Sequence, residues 1–531
     1  MRAFFPFSSL HSLQALLRTH DVTQAISPTS TTNLQSQAQG LRLIYQNDTH
    51  MAWDKLPNAV TAFDLFTKEG KKNGSDVLRL HGGDYMTGSS QRNFSLALWI
   101  ASRMGLHGVA LGNHELDIGL PMFVQQLKQW ANFPTFVSNL AIKPNSQGEN
   151  LFKELRDSGF LKINPQIIRK PSGTYALLGV TQPTERFKTR PENKEIGVDT
   201  KSFQETIVAI QKEVNKLKQQ GVHNIILLSH MGYFDDCKLA QQIEGLSVIL
   251  GGDSHHVLSG AQPGVNLLKS SSGRNVLVLQ AGHESEYVGV ADFKFDPSGQ
   301  PIHIQNKLYG SAQFPKDAMT QQVIDQVLPP DTYVTNLTQP FLKNKASNPN
   351  QPLAEFLADE IRVQSKADIA FLRRPELRGS LKTGPLYSRE IDKILPYDEA
   401  QVLLKLSGKT IQEGLDNYIG YSSKSKYSVL YPSGLKYTLD VKQRCAENIQ
   451  VFDSEQKNWQ PLEEAKQYTV VMNPYVFKSP SIAPKFTRPE YVVGYYPKSF
   501  KEILIEGLQR QTSPSGQFTP PQSDGRLTIV N

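Results

Sequence analysis

At 531 residues the chain is too long to fold around a single hydrophobic core, so at least two domains are expected. Its 57 Lys and Arg against 50 Asp and Glu leave a formal charge of only +7, scattered rather than striped, which argues against a nucleic-acid polymer as partner. No apolar run approaches the roughly 18 residues that a membrane span needs, and two cysteines, Cys237 and Cys445, are too few for a thiolate zinc site.

Residues 1–40 read as a flexible extension. Ser9 can cap a short helix with Leu10, Leu13 and Leu17 on one face, and the first 20 residues, with two arginines and no acid, have a faint transit-peptide composition. Residues 21–40 are rich in Gln, Ser and Thr, as a linker is. No signal peptide is readable, so the expected location is cytoplasmic, with export by a non-standard route as the alternative.

The first strand expected is Leu41–Gln46, which runs into Asn47, Asp48, Thr49 and His50. A second, over residues 76–80, ends in His81-Gly82-Gly83-Asp84, where two glycines let the backbone approach something closely. A helix over residues 93–104 stops at Gly105. The apolar run 108–111 then delivers Gly112-Asn113-His114-Glu115-Leu116-Asp117. Strands follow over 133–137 and 175–181, and Phe203, Ile207, Ile210, Val214 and Leu217 mark one helical face closed by Gly221. Residues 224–228 run into Ser229-His230, and 246–250 into Gly251-Gly252-Asp253-Ser254-His255-His256. Strands over 276–280 and Tyr287–Phe295 close this domain. Alternating strands and helices predict an α/β fold with the site on loops at strand ends.

Taken singly, each of these ends has an ordinary reading: an Asx turn, a Gly-Gly turn, a hydrogen-bonded core histidine. Together, Asp48, His50, Asp84, Asn113, His230, Asp253 and His255 offer seven O and N ligands and no thiolate. That is too many for one tetrahedral ion and suits two divalent cations sharing a carboxylate, which is phosphoester-hydrolysis chemistry.

The ordered set D-T-H, G-G-D, G-N-H-E-x-D, S-H and G-G-D-S-H resembles the metallophosphoesterases, specifically the 5'-nucleotidase/UDP-sugar hydrolase family, over most of residues 41–300. The resemblance implies a four-layer αββα sandwich holding two divalent metal ions (Mn2+ or Zn2+). Asp48, His50 and His255 would hold one ion and Asn113, His230 and Asp253 the other, with Asp84 bridging and catalytic His114 supported by Asp117. One position departs from the family's G-G-H-x-[HNQ]: Asp253 stands where the first histidine is usual, and His256 is the substitute ligand if the register slips by one.

The expected domains are the extension (1–40), the metallophosphoesterase domain (41–312), a helical linker (313–335) and an α/β 5'-nucleotidase-type domain (336–531). In the last, a helix is expected over 353–363 and a buried strand over 367–371, and the phrases ADIA, LPY, LSG and S-G-L-K-Y resemble the family's. By resemblance Arg378 matches a substrate-binding arginine, and Tyr431 and Tyr475 are candidates for stacking a base. Arg373 stands where the family has asparagine, Val429 where it has an aromatic ring, and residues 479–482 lack its Gly-Gly-Asp-Gly. The expectation is a phosphoesterase acting on a nucleotide or related small phosphate ester. Cyclic nucleotides, UDP-sugars, a sulfur ester, or a non-catalytic binder are the alternatives.

Overall fold

The computed structural model describes residues 40–530 other than 188, 345–349, 374–375, 398, 422–428, 441 and 479–484. The helix and linker expected before residue 40, and the expectation for 479–482, lie outside the described residues. Two compact units divide at Pro329/Pro330.

The first unit holds two sheets. One has seven strands in the order Pro301–Gly310, Tyr287–Phe295, Leu41–Gln46, Asp76–His81, Gly108–Ala110, Thr135–Phe136 and Leu161–Lys162. The other has six: Leu267–Lys269, Asn275–Leu279, Val248–Leu250, Asn224–His230, Gly173–Thr181 and Gln166–Lys170. Alternation decides which side chains fill which layer. Leu41, Leu43 and Tyr45 join Leu177, Ile226 and Leu250 in a core shared by the two sheets. Ile44 instead packs with the Leu56–Lys72 and Gln91–Arg103 helices. On the second sheet, Ala176, Leu178 and Ile225 pack with Ile210, Val214 and Leu217 of the Phe203–Gln219 helix. The result is helix, sheet, sheet, helix. Strands buried on both faces must be apolar throughout, which is why they read as unbroken runs.

The Phe203–Gln219 helix starts at a Ser202/Glu205 capping box. Gly221, at φ +76°, turns the chain away beyond it. The expected linker behaves differently from a spacer over Ala318–Val327. That helix buries Val323, Ile324 and Val327 in the first unit's core, and Asp317 caps it and pairs with Arg103 at 3.2 Å.

The second unit is built on a five-stranded sheet ordered Leu430–Ser433, Ile369–Arg373, Gln467–Met472, Gln401–Ser407 and Val492–Tyr496. The Pro352–Ser365 and Phe500–Gln511 helices share its core. The Pro352–Ser365 helix runs two residues further at its carboxyl end than expected and is capped by Lys366 in the left-handed conformation, so the next strand starts at Ile369 rather than Ala367.

Candidate active site

Parallel strands point their carboxyl ends the same way, and the motif loops leave those ends side by side. Gln46 pairs with His81, Leu80 with Gly108, and Leu228 with Leu250. The two Gly-Gly turns then pack against each other across the sheets. A Cβ on Gly82 would lie 2.4 Å from the Gly251 carbonyl oxygen, and one on Gly252 would lie 2.5 Å from that of Gly82 and 2.6 Å from His230 Nδ1. The close approach that these glycines permit is to one another and to His230.

The loops also carry backbone strain. Asp48, His50, Asp84, Asp253 and His255 all have φ between +43° and +71°. Five of seven candidate ligands in this sparsely populated region mark a site whose side chains are turned inward at a conformational cost.

Two clusters result. Asp48, His50 and His255 bring one ligand atom each within 4.8 Å of one another, and so do Asp48, Asp84 and His230. His230 Nε2 is 3.1 Å from Asp84 Oδ2 and 3.9 Å from Asp48 Oδ1, and His255 Nε2 is 3.5 Å from the same Asp48 oxygen. Both aspartates are buried. Burial works against the charge on Asp84, but the His230, His114 and His50 rings outweigh it and hold the carboxyl well below the ordinary carboxylate range. His230 is the converse: burial opposes its charge, and Asp84, Asp48 and Asp253 raise its pKa well above the usual histidine value.

The donor set fits cations. His230 Nδ1 donates to the Gly82 carbonyl at 2.7 Å, which leaves Nε2 as the atom turned into the cluster, 3.1 Å from Asp84 Oδ2. The Thr87 hydroxyl donates to Met86 O, so its oxygen accepts from His50 Nδ1–H at 2.6 Å and Nε2 is again the inward atom. That nitrogen lies 3.2 Å from His255 Nε2, so both rings turn Nε2 toward one point. Asn113 Oδ1 is buried without a hydrogen-bond partner.

His114 adjoins this set. Its Nδ1–H donates to Asp117 Oδ2 at 2.6 Å, and its Nε2 is 4.0 Å from Asp84 Oδ2. Asp117 Oδ2 also accepts from Gly88 N, which fixes the carboxylate and through it the ring.

Asp253 adjoins both clusters without being among their converging ligand atoms. Its N–H donates to both Asp48 oxygens at 3.1 Å, and its Oδ1 accepts from Gln182 Nε2 at 2.6 Å. His256 turns away to stack on Tyr233 at 4.5 Å.

Gln182 is one of two supports that reading the sequence missed. The other is Glu115, whose carboxyl takes the N–H groups of Asp84, Tyr85 and Gly112 at 3.1, 3.0 and 2.6 Å. Burial and the Asp84 charge push its pKa well above the ordinary range. Glu115→Ala orphans three buried donors, and a loss of about 3 kcal/mol or more is expected in denaturant unfolding, together with weaker metal binding. Stability within about 0.5 kcal/mol of wild type would contradict this role.

Two family models match the chain: calcineurin-like phosphoesterase over residues 41–257 and 5'-nucleotidase, C-terminal domain, over residues 332–487. The chain belongs to the two-domain 5'-nucleotidase family. It is a metal-dependent hydrolase of phosphoric esters. Among its relatives is the snake venom 5'-nucleotidase of Gloydius brevicauda, 24% identical over 445 residues that cover 76% of this chain and 73% of that one. The 5'-nucleotidase precursor of Thermus thermophilus superposes with a TM-score of 0.72 at 22% identity, over 92% of this chain and 99% of that one. A sulfate thiohydrolase of the same species follows at 0.67 and 15%, over 94% and 98%. Fold likeness at that level leaves the ester open.

The relatives correct one expectation. A cytoplasmic location conflicts with the snake venom 5'-nucleotidases among its relatives. That expectation rested only on a leader not being read, which carries no weight. No helix of the described residues is long and apolar enough to cross a membrane.

In the second unit, Arg378 donates to the Tyr397 hydroxyl at 2.5 Å. Tyr475, in the short Pro474–Phe477 helix, has the Arg373 guanidinium 4.7 Å over its ring. Tyr431 departs from the stacking role expected of it. It is 0% exposed in the Leu430–Ser433 strand, paired with Leu372, and its ring is part of the core.

Proposed function

We propose that this chain hydrolyses nucleoside monophosphates with two divalent ions. Asp48, His50 and His255 hold one, Asn113, His230 and Asp253 the other, and Asp84 lies between them. The observation that carries this reading is the meeting of Asp48, Asp84 and three histidines at neighbouring strand ends beside the His114–Asp117 pair. Divalent ions bound there supply Lewis acidity toward phosphoryl oxygens and lower the pKa of water. Among the chain's own groups, His114 holds a proton donor toward the charge that develops on the phosphate, and Asp117 keeps its ring in place. A vestigial binding site has no use for such an oriented pair.

Asp253 in place of histidine adds a third carboxylate and favours a harder ion, manganese over zinc. Stripped protein should regain activity better with Mn2+ than with Zn2+, and Asp253→His should reverse the order. Better reactivation of the unaltered chain by Zn2+ speaks against the manganese preference.

Arg378 and Tyr475 are the second unit's candidates for holding the nucleoside. Arg378→Ala should lower kcat/KM for nucleoside monophosphates by roughly tenfold or more. Its turnover of bis(p-nitrophenyl) phosphate should not change. The same panel, extended to cyclic nucleotides and UDP-sugars, tests the substrate class: a cyclic nucleotide or UDP-sugar turned over faster than every monophosphate overturns the nucleotidase reading and leaves the ester chemistry standing.

A further inference from the structure

The first unit contains a cavity of about 620 Å³ whose lining includes none of the candidate metal or catalytic residues. It lies between the Gln147–Asp157 and Phe203–Gln219 helices, over the segment that follows the Thr135–Phe136 strand. The volume is in the range of small-molecule sites.

Four cations line it, Lys153, Arg156, Lys201 and Lys212, against two acids, Glu149 and Glu213. The acids are already engaged: Glu213 pairs with Lys216 at 2.6 Å, and Glu149 accepts from Asn145 N at 2.7 Å. Arg156 contacts Asp157 and Lys201 donates to the Leu140 carbonyl. Among the described residues no hydrogen bond or ion pair engages Lys153 or Lys212. They come from the two helices that line the cavity, Lys153 one turn after Asn150 and Lys212 one turn after Ala209, so both charges serve the same cavity.

The rest of the lining mixes apolar and polar side chains: Phe152 and Leu161 are buried, Leu140, Ile142 and Ile163 are half-buried, and Asn150 and Asn164 join them. One further polar atom is unmatched. Ser138 Oγ is buried and has no hydrogen-bond partner, although the residue's own N–H is committed to Gly179 O at 2.7 Å. An unmatched hydroxyl in a cavity lined by both apolar side chains and cations suits a ligand that carries both an apolar body and an acceptor.

We propose that this cavity is a second binding site, for a small organic anion whose carboxylate, sulfonate or phosphate meets Lys153 and Lys212 and whose apolar body lies on Phe152 and Ile163. The reading goes beyond phosphoester hydrolysis and does not depend on it. Inorganic anions do not use the apolar side chains of the lining, and cations are repelled by its four basic residues.

The test uses the full, ion-loaded chain and 8-anilinonaphthalene-1-sulfonate, an aromatic anion that brightens when desolvated. One equivalent should bind, octanoate should displace it, and Lys153→Ala/Lys212→Ala should weaken it by roughly tenfold. Ala209→Trp, which fills the cavity, should remove binding while phosphoester turnover stays at the wild-type level. N-phenyl-1-naphthylamine, the same ring system without the sulfonate, should bind at least about tenfold more weakly. No fluorescence rise, wild-type affinity in the double variant or in Ala209→Trp, or equal affinity for the neutral probe overturns the proposal.

Discussion

Asp84→Asn is expected to lower kcat by about a thousandfold or more with every phosphoester tested, whatever the leaving group. The exchange keeps the side chain's size and removes its charge. Asp84 Oδ1 accepts from His114 N at 3.0 Å, its Oδ2 faces His230 Nε2 at 3.1 Å, and its own N–H is held by Glu115. The side chain is therefore fixed at both oxygens and the backbone at its N–H, and the carboxylate charge raises the pKa of the buried His230 ring. An asparagine amide presents an oxygen or a nitrogen to His230 but no negative charge, so the metal content measured by elemental analysis should fall with the rate. Loss with one substrate class only would place Asp84 in specificity rather than in the shared chemistry.

His114→Asn is expected to separate the two. Its Nε2 faces Asp84 from 4.0 Å, while Nδ1 is spent on Asp117, so the ring is placed beside the ligand cluster and not in either group of converging ligand atoms. The rate should fall by about a hundredfold to ten-thousandfold, the range of a lost positioned proton donor, with metal content unchanged and KM altered little. Asp117→Asn should cost less, since the ring survives and only its orientation and proton are disturbed. Loss of an ion in His114→Asn would mean that the imidazole is a ligand and that the role assigned to it is wrong.

The contrast between Asp84 and Glu115 shows what the sequence makes legible. Asp48, Asp84, Asn113, His230 and His255 each follow an apolar run within a few residues, so strand ends and polar residues are visible together. Glu115 and Gln182 act on partners that are distant in the chain, Asp84 from 31 residues away and Asp253 from 71. Nothing local distinguishes a carboxyl that gathers three backbone N–H groups from one facing solvent. The glycine pairs are an intermediate case: their need for close approach is readable, and the fact that they approach each other depends on the packing of two sheets.

The second unit was less legible for the same reason. Tyr431 belongs to a strand whose inward face is set by pairing with Ile369–Arg373, some sixty residues earlier, and that register makes it a core side chain. Arg373 is visible as a departure from the family's asparagine, but its seat over Tyr475 is not, because the two are a hundred residues apart. The Ala318–Val327 helix has the short amphipathic pattern of a connector, and only the apolar surface it meets decides that it joins the first unit's core.

The proposed chemistry requires two cations that share one carboxylate-bridged site. Electron paramagnetic resonance of the chain loaded with Mn2+, taken together with its metal stoichiometry, tests it most directly. Two equivalents per chain and the spectrum of a magnetically coupled pair are expected, reduced to an uncoupled signal in Asp84→Asn. A single equivalent giving an isolated six-line spectrum in the unaltered chain would contradict it.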